Sequence, residues 1–223
     1  ARLAEVMTVP LDELEGAVCM STLEDILASA EGKQALAIGP GLGTGGEVSS
    51  LVRRLLQDTD QPVVIDADGL NALVGHLSIL GQQPERDIIL TPHPGEMSRL
   101  SGLSVAEIQN DRFDVAKDFA AQYKVTLVLK GARTLIAAPD GTVHVNTTGH
   151  AGMASGGMGD VLTGLIGSLL AQGLPAMSAA TLAVYLHGLA AERLQSRFGD
   201  AGLLATDLIN ELPAARQALA REG

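Results

Sequence analysis

Asp160 directly follows Gly156, Gly157, Met158 and Gly159 and directly precedes the apolar run VLTGLIGSLL. That order places a carboxylate in the first turn of a helix. The opening amides of a helix have no partner within it, and its dipole favours negative charge there, so an anion can be held at such a point. The carboxylate has two readings. It can complement the dipole, worth typically about 0.3–1 kcal/mol, or it can accept a hydroxyl proton while glycine amides and a cation spread the charge of a phosphoryl group. Complementing a dipole needs one acid and no glycines before it. The base reading is therefore preferred, and Asp160 is the expected catalytic residue.

A second glycine-rich segment, IGPGLGTGG at 38–46, follows the apolar run at 35–38 and leads into a helical pattern. Gly41, Gly43 and Gly46 fit the dinucleotide fingerprint GxGxxG, with Asp66 at a strand end twenty residues on. The same glycines fit a tight turn with ordinary helix capping. Three further clusters fall at expected strand ends, where α/β folds place their ligands: VIDADGLNAL at 64–73, TPHPGEM at 91–97 and LKGART at 129–134. Asp66 and Asp68 suit a metal or a substrate hydroxyl, and Asp68 equally suits a helix cap. Pro92 and Pro94 fix the backbone around His93, and Lys130 beside Gly131 is placed to meet a phosphate or to be solvated. His187 reads as a packed helix residue, and His76 and His144 as surface positions. Neither CxxC nor HExxH occurs, so a structural zinc site has no support.

These clusters need a scaffold that brings strand ends together. Short β-branched runs alternate with longer 3.6-period segments, the pattern of a mostly parallel central sheet with helices on both faces. Strands are expected at 5–9, 35–39, 62–66, 87–91, 125–129, 133–138 and 142–146, the last two joined at Asp140-Gly141 as an antiparallel hairpin near one sheet edge. Helices are expected at 22–30 after Ser21, and at 46–57, 94–101, 111–122, 160–171, 176–197 and 203–220, the last interrupted at Pro213. With 223 residues, 46% of them hydrophobic, and neither a repeat nor a Pro/Ser/Gly-rich linker, one α/β domain is expected over 1–223. The chain opens at Ala1 without a methionine and runs at once into a strand-like segment, so an N-terminal piece of the domain is expected to lie outside it.

Composition excludes several classes of partner. Fifteen Lys plus Arg against 26 Asp plus Glu give a net charge of −11, which repels nucleic acid, and with 2% aromatics and no Trp there is little on which bases could stack. The most apolar helical stretch, 161–170, is shorter than the ~20 residues of a membrane span, and nothing at the start has the pattern of a secretory leader. Cys19 is the only cysteine, which excludes an internal disulfide and fits the cytoplasm.

Taken together and in this order, GPGLG, DADGLN, TPHPGEM, LKGART and GMASGGMGDVLTG resemble the ADP- or ATP-dependent NAD(P)H-hydrate dehydratases, a repair branch of the ribokinase-like superfamily. The resemblance runs from about residue 5 to 212. It implies that the S epimer of hydrated NADH or NADPH is phosphorylated on its added hydroxyl by the nucleotide, and that phosphate then leaves. It also implies contacts of the hydrated dinucleotide with Gly43, His93 and Asp160, and of the adenine nucleotide with Lys130, Gly131, Ala132, Arg133, Thr134 and Gly159. Mg²⁺ and a homo-oligomer, commonly a tetramer, come with the resemblance, as does an epimerase domain fused in many bacterial members. His150 stands where relatives usually have Asn, and the family's first strand and helix, which carry a substrate contact, precede the matched region. Three other readings stand beside this one. They are a ribokinase-like kinase of a small alcohol or vitamin precursor, an NAD-dependent oxidoreductase built on Gly41, Gly43, Gly46 and Asp66, and a nucleotide sensor without turnover.

Overall fold

Alternation of side chains along each strand sorts the core into two layers. In the computed structural model, which describes residues 6–82 and 85–222, Val63, Ile65, Ile88, Leu90, Leu127 and Leu129 pack into one apolar cluster while Val64, Ile89, Val128 and Ile136 pack into another. Strands buried on both faces read as continuous apolar runs, and these do. The chain begins with a short hairpin, β1 (Glu13–Leu14) and β2 (Ala17–Val18), followed by α1 (Leu23–Ala30). Then β3 (Leu36–Ile38), α2 (Gly46–Asp58), β4 (Val63–Ile65), α3 (Asp68–Asn71), β5 (Ile88–Leu90), α4 (Pro94–Ser101), α5 (Val105–Asn110), α6 (Arg112–Tyr123) and β6 (Thr126–Leu129) alternate. The chain closes with β7 (Leu135–Ala137), β8 (Val143–Val145), α7 (Met158–Ala171), α8 (Ala176–Phe198) and α9 (Ala205–Glu222).

The main sheet has the order β3-β4-β5-β6-β7-β8. β3 to β6 are parallel, and β7 and β8 are antiparallel, paired through Leu135↔Val145 and Ala137↔Val143. Helices α2 to α6 cover one face, and α7 and α8 the other, with α9 packed outside them. The expected architecture is thus present, hairpin included. Because β3 to β6 run in parallel, their carboxyl ends open on one edge, and all four motif clusters at 38–46, 64–73, 91–97 and 129–134 leave the sheet there.

Two expectations are corrected and two elements are added. The strand at 5–9 does not form: residue 5 lies outside the described residues, and 6–9 are exposed backbone without a paired strand among the described residues. The β1–β2 hairpin was not expected, because its turn is Glu15-Gly16, with φ of 55° and 80°, rather than an Asn-Gly or Asp-Gly pair. Helix α9 runs through Pro213 without interruption and starts at 205. Pro213 and Ile209, whose carbonyl loses its helical partner, both lie on the exposed side, where solvent can satisfy that group. Helix α5 was missed although Ser104 and Glu107 form a reciprocal capping box, a signal present in the sequence.

Candidate active site

At the carboxyl edge the chain first solves a packing problem. Gly39 has φ +135°, and a Cβ there would lie 1.7 Å from the Asp66 carbonyl oxygen and 3.0 Å from the Gly69 amide nitrogen. The exits of β3 and β4 therefore touch backbone to backbone, joined by the Asp66 amide donating to the Ile38 carbonyl at 3.0 Å. This contact drives Asp66 inward, to 1% exposure. Its Oδ1 accepts from Lys130 Nζ at 2.7 Å and its Oδ2 from the Thr163 hydroxyl at 2.8 Å. A carboxylate buried to this degree and turned toward Lys130 and Thr163 is not presented to a ribose hydroxyl at the surface. The fingerprint reading of Gly41, Gly43, Gly46 and Asp66 fails on that point.

Lys130 Nζ also lies 3.7 Å from Glu96 Oε2. Glu96 is buried, accepts the His93 amide at 2.8 Å through Oε2, and has Oε1 3.5 Å from His93 Nε2. His93 caps α4, its Nδ1 accepting from the Gly95 and Glu96 amides at 2.9 and 3.3 Å. Since Nδ1 accepts twice, the ring proton sits on Nε2. His93, half exposed, thus presents an N–H donor. Ion pairs thus join the ends of β4 and β6 to α4, and the Thr163 hydroxyl ties in α7 by a hydrogen bond.

Helix α7 starts after Gly157, whose φ of 83° turns the backbone into it. The position of a Cβ on Gly159 is 3.5 Å from both Asp66 Oδ2 and Lys130 Nζ, so the first turn of α7 packs directly against the Asp66–Lys130 pair. Asp160 is exposed in the same turn and, among the described residues, makes neither an ion pair nor a side-chain hydrogen bond. It borders a largely apolar groove of about 540 Å³ between α7 and α9, lined by Val161, Leu165, Ile209 and Leu212.

The 129–134 loop is held from behind. Arg112 Nη2 donates to the carbonyls of Leu129 and Lys130 at 3.0 and 3.4 Å, Thr134 Oγ1 donates to the Gly131 carbonyl at 2.9 Å, and Arg133 Nη1 reaches the Thr147 carbonyl at 3.2 Å. Gly131, Ala132 and Arg133 are left exposed. Gly43 stands apart from this cluster: its amide donates to Asp68 Oδ2 at 2.8 Å, so Asp68 fastens the first glycine loop and caps no helix. Sequence reasoning gave no role to Glu96, Thr163 and Arg112. Thr163 was findable, four residues after Gly159 on one helical face.

Behind the first turn of α7 lies His187, on α8, with Nε2 3.0 Å from the Met158 carbonyl. Burial pushes its imidazole down to about 4 from 6.5; the bond to Met158 works against this and the charge of Lys130 adds to it. In the unfolded chain the ring takes up its proton near the ordinary value. Stability is therefore complete above pH 6.5 and lost as pH falls from 6.5 toward 4. A loss of about 2 kcal/mol between pH 7 and pH 5 is expected from this group. Urea titrations at the two pH values measure it, and His187→Gln should remove that part of the difference; an unchanged difference would contradict the assignment.

Among the described residues no group of three or more His, Cys, Asp or Glu is placed to hold a metal. Those residues therefore offer no ready-made cage for Mg²⁺. Mg²⁺ commonly binds through substrate phosphates and water with one or two carboxylates, and such a set does not require a cage.

A parallel sheet extended by an antiparallel hairpin, with a glycine-led helix start at its carboxyl edge, is the architecture of the ribokinase-like proteins. A ribokinase-like superfamily protein of Enterococcus faecalis matches with a TM-score of 0.75 and 29% identity, over 87% of this chain and 68% of that one. Within that class the chain belongs to the NAD(P)H-hydrate dehydratase family, whose profile matches residues 1–214. An ADP/ATP-dependent NAD(P)H-hydrate dehydratase of Bacillus subtilis, co-crystallized with ATP/Mg²⁺ and soaked with CoA, has a TM-score of 0.74 and 41% identity over 83% of this chain and 66% of that one. The bifunctional NAD(P)H-hydrate repair enzyme of Moorella thermoacetica is 43% identical over 222 residues, which is 99% of this chain and 42% of that protein. The chain thus spans about two fifths of the length of this curated relative.

Proposed function

We propose that this chain dehydrates the S epimer of hydrated NADH or NADPH, with ADP or ATP as phosphoryl donor, as a metabolite-repair lyase. The observation that carries the reading is Asp160: an uncommitted carboxylate in the first turn of α7, directly after Gly159, whose Cβ position lies 3.5 Å from Lys130 Nζ. Asp160 accepts the proton of the hydroxyl on the hydrated ring. The freed oxygen forms a bond to the terminal phosphorus of the nucleotide as the bond from that phosphorus to the nucleotide's bridging oxygen breaks, giving AMP from ADP or ADP from ATP. The C–O bond of the new ester then breaks, inorganic phosphate leaves, and loss of a proton from the adjacent carbon restores the ring double bond. Phosphorylation makes a poor leaving group a good one, which is why one site takes both a dinucleotide and a phosphoryl donor. Mg²⁺, arriving with the nucleotide, supplies further charge for the phosphates.

In this reading Gly43, His93 and Asp160 contact the hydrated dinucleotide, with His93 Nε2–H as donor, and Lys130, Gly131, Ala132, Arg133, Thr134 and Gly159 the adenine nucleotide. His93→Ala should raise the apparent KM for hydrated dinucleotide about tenfold with ADP affinity nearly unchanged. A selective loss of ADP binding would reverse the assignment of sides. Lys130→Ala should weaken ADP binding more than dinucleotide binding. It should also destabilise the fold by about 3–5 kcal/mol, because it strands the buried Asp66 carboxylate. The double replacement Asp66→Asn with Lys130→Met should recover most of the stability and none of the ADP affinity. Calorimetry and melting curves separate the two effects, and equal losses for both ligands would count against the assignment.

Residues 1–223 form one catalytic domain in this proposal, completed by an N-terminal strand and helix. The edge of β3, unpaired among the described residues, and the apolar groove between α7 and α9 are suited to such a pair. A cytoplasmic homo-oligomer, as a tetramer, and an epimerase fused or acting in partnership complete the proposal. No helix among the described residues is long and apolar enough to cross a membrane. The alternative, kinase action on a small alcohol, differs in its product. Phosphorus NMR of the full-length protein turning over hydrated NADH with ADP should show AMP and inorganic phosphate in equal amounts. An accumulating phosphate ester would favour the kinase.

A further inference from the structure

The face of α8 around His187 holds both the 146–153 loop and the start of α7. Gly188 lets the backbone of the 146–153 loop press against the helix, since a Cβ there would lie 2.7 Å from the Thr148 carbonyl carbon and 2.8 Å from the Gly149 nitrogen. The loop is then bonded at three places. Thr148 Oγ1 donates to the Tyr185 carbonyl at 2.9 Å, the Gly149 amide to Glu192 Oε1 at 2.9 Å, and His150 Nε2 to the Ala191 carbonyl at 3.1 Å. One turn of the same helix, at His187, reaches the start of α7 through the Met158 carbonyl. A carbonyl oxygen can only accept, so Nε2 carries the proton and Nδ1 is bare. Met158 opens α7, and its carbonyl belongs to the peptide unit whose N–H is that of Gly159. That N–H is among the free amides of the first turn. A bond to the oxygen of a peptide fixes the plane of the unit and strengthens its N–H as a donor.

We propose that His187 is a positioning residue for phosphoryl transfer, aiming the Met158–Gly159 peptide so that the Gly159 N–H points at the transferred group. The proposal rests on the reaction assigned above and adds to it a residue outside every glycine motif. His187 touches no substrate. Its contribution lies in the orientation of one amide, so it should act on the step in which phosphoryl charge develops and on nucleotide binding, and leave the dinucleotide side alone.

The test compares His187→Met, which keeps bulk and removes the donor, with His187→Gln, whose amide N–H reaches the same carbonyl. In the full-length protein His187→Met should lower kcat about tenfold or more and weaken ADP binding several-fold with the KM for hydrated dinucleotide unchanged. His187→Gln should return both within about threefold of wild type. Wild-type kcat and ADP affinity in folded His187→Met would overturn the proposal, as would a folded His187→Gln that fails to rescue. If His187→Met does not fold, ¹⁵N spectra of the wild-type histidines decide: Nε2 protonated and Nδ1 bare is expected, and the opposite tautomer overturns it. Calorimetric titration of ADP alone separates this from the reaction itself. Wild type without dehydratase activity but with ADP binding that His187→Met weakens would remove the reaction and keep the positioning role.

Discussion

Replacing Asp160 by Asn should lower turnover by about 10² to 10⁴, the usual range for loss of a general base, while the protein stays folded and still binds ADP. The amide keeps the shape of the side chain but has no basic lone pair and no charge, so the substrate hydroxyl attacks while still protonated. Folding should survive because Asp160 is exposed and, among the described residues, holds no partner that would be stranded. Its share in the helix dipole is at most about 1 kcal/mol. ADP affinity should hold or rise slightly, since a negative charge beside the phosphates is removed while the amides and Lys130 remain. The measurements are kcat, an ADP titration and a melting curve on one preparation. Near-normal kcat in a folded variant would leave Asp160 a helix-dipole residue and nothing more.

Gly39→Ala should act through the fold, and severely. The added methyl would sit 1.7 Å from the Asp66 carbonyl oxygen and 2.8 Å from its carbon, atoms of backbone that cannot rotate aside, at a φ of +135° that an L side chain rarely adopts. Relief requires β3 and β4 to separate at their ends. That breaks the Asp66–Ile38 backbone bond and displaces the carboxylate that Lys130 and Thr163 hold. A cost of at least about 4 kcal/mol is expected, a large share of a typical domain's stability. Gly41→Ala is the control: its φ is +77° but a Cβ would meet nothing within 4 Å, so about 1–2 kcal/mol should be lost. Urea unfolding of the two variants reads the difference, and similar midpoints would mean that the two strand exits do not bear on each other.

Much of this arrangement was legible before any coordinates, and the reasons differ by element. Strand runs such as Val63–Ile65 and Ile88–Leu90 declare themselves because strands covered on both faces leave no polar positions to blur the pattern. The glycines before Asp160 and the prolines around His93 mark backbone conformations that few other residues allow. The segment at 6–9 misled because β-branched composition shows that residues suit a strand and says nothing of a neighbouring strand to pair with. Asp66 misled for a related reason: its spacing from Gly46 fits the dinucleotide fingerprint, but whether a carboxylate faces solvent or Lys130 is settled by residues 64 and 97 positions away. Gly39 and His187 carry weight only through contacts across the fold, with Asp66 and Met158, which no local pattern announces.

The most direct test of the central claim is to incubate the full-length protein with hydrated NADH, with and without ADP or ATP, and follow the return of reduced-nicotinamide absorbance. Return that requires one of the nucleotides, and that is slowed 10² to 10⁴-fold in Asp160→Asn, is the predicted result. Failure of the absorbance to return with either donor, or its return at the same rate without any nucleotide, would contradict it.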